Sequence, residues 1–155
     1  MFYDDFRIGD SFESQSSRSL VQDDIDKFAR LTGDLNPLHV NPEYASNTSF
    51  RGTIAHGVLT IGMALGLWYT MGLTRDSVIA LIALDKISYG APVRPGDSIK
   101  LRTTVSSMRL SKSNANAGIV TFSDRVVNQE GTIVLKFKRT LMLRRKPNQA
   151  MMIKN

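Results

Sequence analysis

The chain of 155 residues contains no cysteine, which excludes disulfides, thiolate metal sites and a cysteine nucleophile. Histidine is scarce: only His39 and His56 occur. No further ligands stand near them at zinc-like spacing, so no metal site is expected. No Gly-x-Ser-x-Gly is present, so a serine nucleophile on a strand-to-helix elbow has no support. The first residues, M-F-Y-D-D-F-R-I-G-D, are acidic and lack the apolar core of a secretory leader. With the missing cysteine, this points to the cytoplasm. No helix-turn-helix, zinc-finger or RNA-binding-sheet signature is found, so nucleic acid is not an expected partner.

Charge is missing from one long stretch. Gly52 to Thr74 spans twenty-three residues without Asp, Glu, Lys or Arg. Length alone would allow a membrane span. His56, five glycines and four threonines interrupt the stretch. A second apolar run, Ser77 to Leu84, follows within three residues. A helix buried all round inside a protein reads the same way, and no membrane span is expected. Gly62 and Gly66, at i and i+4, leave one face of that helix as bare backbone. Close packing against a sheet is the expected reason, and room for a ligand chain is the other.

The length suits one domain, placed at residues 1–146 with a basic tail at 147–155. Net charge is +6 and unevenly spread: residues 1–34 hold eight acids and four bases, whereas residues 86–155 hold fourteen bases and three acids. Such a basic half is either a solvated face or a surface for a polyanionic ligand, such as a nucleotide-containing cofactor.

Taken in order, Phe12 to Val21 reads as a first strand. Val21-Gln22-Asp23-Asp24 opens a short helix whose acids suit the positive end of its dipole. Ile25, Phe28, Ala29 and Leu31 continue at helical spacing, and Gly33 stops it. Asn36-Pro37 cannot extend that helix. Asn41-Pro42 starts another, with Asn as cap and Pro as first residue. After the uncharged helix of about seventeen residues, the chain turns to β structure. Val78 to Ala91 is an apolar run leading to Lys86-Ile87-Ser88-Tyr89. Ile99, Leu101, Thr103 and Val105 alternate with polar residues. Val120, Phe122, Asp124 and Val126 share one strand face. Ile133, Leu135, Phe137, Arg139, Leu141 and Leu143 share another. Asn128-Gln129-Glu130-Gly131 is a hairpin turn. Strands grouped after the helix predict an antiparallel sheet carrying that helix on one face, an α+β fold.

Asp34 stands five residues before His39 in the loop held by Gly33 and Pro37. A carboxylate and an imidazole aimed at one water form a general acid–base pair. The same two residues can also be purely structural, one capping and one packed. His56-Gly57 opens the uncharged helix, whose first N–H groups can bind an anion or a developing oxyanion. His56 otherwise caps the helix or fills space.

The stretch Phe28-Ala29-Arg30-Leu31-Thr32-Gly33-Asp34-Leu35-Asn36-Pro37-Leu38-His39-Val40-Asn41 resembles the hydratase-2 motif of MaoC-like, (R)-specific enoyl-CoA hydratases. Ala55-His56-Gly57 resembles that family's second landmark. Tyr89-Gly90-Ala91-Pro92-Val93-Arg94-Pro95-Gly96-Asp97 resembles its strand–turn segment. The likeness runs from about Phe6 to Arg144. It implies a hot-dog fold, an antiparallel sheet wrapped around one long central helix, paired as a homodimer or a larger homo-oligomer. It implies a site at the subunit interface, by the start of the central helix. Asp34 and His39 would activate a water that adds to a trans-2-enoyl-CoA, giving the (R)-3-hydroxyacyl thioester. The Gly57 N–H would stabilise the thioester oxygen. Coenzyme A is then part of the substrate, and no separate cofactor is implied.

Asn36 would set the loop or orient the acid. Gly62 and Leu65 would shape the acyl site, with His56 beside it, and Arg94 is offered to the coenzyme phosphates by charge alone. One departure is plain: some family hydratases carry serine where this chain has Leu65. Open alternatives are carrier-protein thioesters, short branched or dicarboxylic acyl groups, a thioesterase, and a non-catalytic acyl-thioester-binding module.

Overall fold

A computed structural model describes residues 1–147. The expected tail lies outside the described residues from 148 onward. Along the chain come β1 (Ser11–Glu13), β2 (Arg18–Ser19), α1 (Gln22–Thr32), α2 (Pro37–Val40), α3 (Pro42–Ser46), α4 (Gly57–Thr70), β3 (Val78–Tyr89), β4 (Ser98–Leu110), β5 (Ala117–Asn128) and β6 (Ile133–Arg144). The strands form one antiparallel sheet in the order β1-β4-β5-β6-β3, with β2 beside β1 on β4. The alternating segments became the long strands because a period of two puts every second residue on one face. Ile99, Leu101, Val105, Val120, Phe122 and Leu135 of that face are buried. Ile61, Ala64, Leu67 and Trp68 of α4 complete the same core. The helix therefore lies on the sheet as the element order predicts.

Three expectations need correction. The single first strand is two short pieces. The Leu101 N–H donates to the Ser14 hydroxyl at 3.1 Å, and Ser14 is buried. A side chain thus takes a place in the ladder that a main-chain carbonyl would hold, and pairing breaks between Glu13 and Arg18. The central helix has 14 residues, not about seventeen; the chain turns at Gly72, whose φ is +70°.

That helix is also not buried all round. Val58 and Tyr69 are exposed, as are Gly62 and Gly66 between them. A Cβ built on either glycine meets nothing within 4 Å. Gly62 and Gly66 therefore do not serve packing on the chain's own sheet. The apolar run 78–84 is not inside either: β3 is a sheet edge with Val78, Ile79, Leu81 and Ile82 all exposed. Apolar sequence marks a surface that leaves water; it does not say which chain covers it.

One charge pair lies inside. Arg139 donates from Nε and Nη2 to the two Asp124 oxygens at 2.7 and 3.2 Å, and both side chains are fully buried. Among the described residues no helix is long and apolar enough to cross a membrane.

Candidate active site

Local chemistry shapes the loop before any catalysis enters. Gly33 ends α1 in the left-handed region at φ +78°, its N–H returning to the Ala29 carbonyl at 2.9 Å. The Asn36 side chain accepts the Leu38 N–H at 3.0 Å and caps α2. Asn41 does the same for α3 through the Tyr44 N–H, also at 3.0 Å. Each cap is followed by proline, whose missing N–H costs nothing at the first helical position. Asn36 thus sets the loop by a local hydrogen bond, one of the two roles expected of it.

The single turn of α2 presents His39. Its Nδ1–H donates to the Ile54 carbonyl at 2.8 Å. A carbonyl only accepts, so the proton sits on Nδ1 and Nε2 carries the free lone pair. Gln22 secures the same turn: its amide donates to the His39 carbonyl at 2.9 Å, and its oxygen accepts the Thr53 hydroxyl at 2.7 Å. Three segments meet at this one side chain. Nothing in the sequence singled Gln22 out.

His56 is almost fully buried. It precedes α4 but makes no side-chain cap. Its Nε2–H donates instead to the Asp34 main-chain carbonyl at 3.0 Å. Its ring stacks on His39, centroids 3.8 Å apart, with Phe28 on 4.9 Å contact. The buried Nδ1 has no partner. The Asp34 carboxylate stays 57% exposed, with Oδ2 3.9 Å from His56 Nε2. One oxygen or nitrogen from each of Asp34, His39 and His56 lies within 4.8 Å of the others. The loop therefore does bring Asp34 and His39 within reach of one water.

Such a trio can also suggest a metal ion. Imidazole lone pairs lie in the ring plane, and these planes are only 30° apart. The two rings send their lone pairs side by side rather than to one point. His39 Nδ1 and His56 Nε2 are already committed to carbonyls. The arrangement is poorly suited to one ion.

Gly57 opens α4, and among the described residues no acceptor takes its N–H. The Tyr89 ring lies over it: a Cβ at Gly57 would sit 2.5 Å from Cε1 and Cζ. A shift in strand pairing between Asp85 and Ser88, with Lys86 at φ +50°, carries Tyr89 to this position. His39, Gly57, Tyr89, Ile54 and Val134 line a cleft of about 350 Å³. Leu65 is not in it; it lines a separate cavity of about 350 Å³ at the other end of α4. Gly62 lies on the exposed face. Arg94 donates to the Phe50 carbonyl at 2.5 Å and braces that loop rather than lining the cleft.

A sheet folded over one central helix defines a hot-dog domain. Residues 5–127 match the family description "MaoC like domain"; the chain belongs to the MaoC-like family. It is 30% identical over 142 residues to an (R)-specific enoyl-CoA hydratase of Rhodospirillum rubrum, covering 92% of this chain and 91% of that protein. A monoamine oxidase regulatory protein from Archaeoglobus superposes with a TM-score of 0.87 at 31% identity, covering 95% and 96% of the two chains. A Mycobacterium tuberculosis protein with a double hot-dog fold superposes with a TM-score of 0.82 at 21% identity, over 96% of this chain and 45% of that one, a likeness of fold alone.

Proposed function

We propose that this protein adds water to a trans-2-enoyl-CoA to give the (R)-3-hydroxyacyl-CoA, or runs the reverse dehydration. The observation that carries the reading is an imidazole nitrogen of His39 and an Asp34 carboxylate oxygen within 4.8 Å of each other, with His39 and Gly57 both lining the same cleft. Water held by this pair attacks C3 of the enoyl group. As the C–O bond forms, the C2–C3 electron pair moves toward the thioester carbonyl and water gives up one proton to the pair. The pair returns one proton to C2. Negative charge on the thioester oxygen is met by the Gly57 N–H at the positive end of α4. The R hand is taken from the Rhodospirillum relative.

The working unit of this proposal is a homodimer joined through β3. That strand has an unpaired edge carrying Ile79, Leu81 and Ile82 in water, and an open apolar edge invites pairing with another strand. Beside it runs the exposed α4 stripe of Val58, Gly62, Gly66 and Tyr69, bare enough for a second backbone to approach.

The test is a panel of enoyl thioesters, short, medium, branched and carrier-protein-linked, followed by loss of the conjugated-thioester absorbance. Hydration of at least one is expected. Asp34→Asn and His39→Ala should each slow it by about 10²-fold or more. A wild-type protein that binds these thioesters and hydrates none is a binding module instead.

A further inference from the structure

Tyr89 lines the same cleft as His39 and Gly57, and its hydroxyl has no part in the water-activating pair. The residue is 55% exposed, and among the described residues its hydroxyl makes no hydrogen bond. An apolar cleft wall needs only the ring, which phenylalanine would supply equally well. The hydroxyl needs a reason of its own.

Backbone contacts set its place. Tyr89 pairs with Leu135 of β6. The Gly90 N–H donates to the Val134 carbonyl at 2.9 Å, and the Ala91 N–H to the Ile133 carbonyl at 3.2 Å. A Cβ at Gly90 would strike the Ile133 carbonyl oxygen, so glycine is what lets β3 close this tightly on β6. The ring is thereby held with Cε1, Cζ and the hydroxyl against Gly57. The hydroxyl oxygen is 2.8 Å from where a Gly57 Cβ would sit. The N and Cβ positions of one residue are about 2.5 Å apart, so that oxygen lies within about 5.3 Å of the Gly57 nitrogen. Two donors that each approach one acceptor to about 2.9 Å can stand up to about 5.8 Å apart. One carbonyl oxygen, with its two lone pairs, can therefore take both.

We infer that the Tyr89 hydroxyl is a second donor to the thioester oxygen, beside the Gly57 N–H; the inference rests on the hydratase reading of this cleft. The hydroxyl keeps its proton throughout, and no bond to Tyr89 forms or breaks. Its hydrogen bond strengthens as the C2–C3 electron pair moves toward the thioester carbonyl, because an oxyanion accepts more strongly than a neutral carbonyl. It relaxes when the proton reaches C2. Such a donor acts on kcat more than on KM. Because the residue is half exposed, water replaces part of what the hydroxyl gives. Its removal should therefore slow the reaction by less than the ~10²–10³-fold typical of an enclosed donor.

Tyr89→Phe keeps the ring and removes only the hydroxyl. Hydration of the enoyl thioester that the wild type uses best should fall about tenfold in kcat, with KM little changed. Acetoacetyl-CoA gives a second readout that needs no turnover. It loses a C2 proton to form an enolate that absorbs in the near ultraviolet, with negative charge on the thioester oxygen. Bound to the wild type it should ionise about one pH unit lower than bound to Tyr89→Phe, the same tenfold. A ring that serves only as a wall would move neither quantity. Equal kcat and equal ionisation in the two proteins overturn the inference. So does a rise in KM alone, since the hydroxyl then only holds the substrate. Protein that hydrates an enoyl-CoA equally well as wild type and as Tyr89→Phe loses the second donor alone. Protein that hydrates nothing, yet ionises bound acetoacetyl-CoA more readily than Tyr89→Phe does, loses the hydratase reading alone. Protein that neither hydrates nor binds these thioesters loses both.

Discussion

The imidazoles of His39 and His56 stack face to face, centroids 3.8 Å apart and planes 30° apart. His56 therefore holds both reacting groups of the proposed site at once. Its ring face fixes the plane of His39, and its Nε2–H fixes the main chain of Asp34.

These two roles come apart by substitution. His56→Phe keeps a ring between Phe28 and His39 but gives Asp34 no hydrogen bond. His56→Ala loses both and leaves a buried gap, which costs stability as well. Hydration by the Phe variant should fall about tenfold and by the Ala variant about 10²-fold, since a misplacement near 1 Å costs that much. The loss should appear in kcat with KM little changed. Equal rates for the wild type and His56→Ala would remove His56 from the site's support.

Gly57 matters in the proposed mechanism for its N–H, and one pair of variants isolates that atom. Proline is tolerated at the first position of a helix, where it removes only an unpaired donor. His56 has φ −58° and ψ 137°, the extended backbone that a following proline requires. A Cβ at Gly57 would strike the Tyr89 ring, so both variants are made with Tyr89→Ala. Gly57→Pro should then be slower than Gly57→Ala by about 10²–10³-fold in kcat. Steady-state kinetics and circular dichroism on the two double variants check this together with folding.

Much of this was legible in the sequence, for physical reasons. Period-two alternation announced β4 to β6, and Asn41-Pro42 announced α3 with its cap; Asn36-Pro37 reads only as a break after α1, yet it caps the single turn of α2 in the same way. Asp34 and His39 were marked by spacing and by a matching motif. The stack of His39 on His56 was not, because seventeen residues of separation carry no geometry until Ile54 and Gln22 pin the loops together. The expectation that α4 is buried all round failed for one reason. Apolar residues such as Val58 and Tyr69, like Ile79 and Leu81 of β3, read the same whether their own chain or another covers them. Arg139 and Asp124 did leave a trace: each is a lone charge on an apolar strand face, of opposite sign, on strands that the hairpin at Asn128 makes neighbours.

The chain ends of the fold are held by charge, and acid should loosen them. Burial alone would push the Asp4 carboxyl up, but the Lys146 N–H and the Arg145 guanidinium outweigh it and hold the group below the usual carboxylate range. Lys146, with the Phe2 N–H, lowers Asp5 in the same way. A carboxyl whose folded pKa is depressed adds stability that is present above its unfolded pKa, about 3.9. That stability is lost as pH falls from there through the folded value. Asp4→Asn should therefore lower the melting temperature at pH 7, and the gap from wild type should close as pH falls below about 4. Thermal melts at steps from pH 7 to pH 3 read the gap directly; a constant gap would mean the pairs contribute nothing.

Gly66 separates the single-chain account of α4 from the dimer account. In one chain its Cβ would meet nothing within 4 Å, and glycine inside a helix costs about 1 kcal/mol against a good helix former. Gly66→Leu should therefore raise the stability of an isolated chain. If a second subunit approaches along Val58, Gly62, Gly66 and Tyr69, the leucine side chain fills the space that backbone needs. The expected result is a protein that sediments as a monomer where wild type sediments as a dimer, yet melts no lower than wild type diluted below its dissociation point. Loss of hydration in that monomer, with the Asp34 loop intact, would place part of the site on the partner. A Gly66→Leu protein that dimerises like wild type would move the interface away from this helix face.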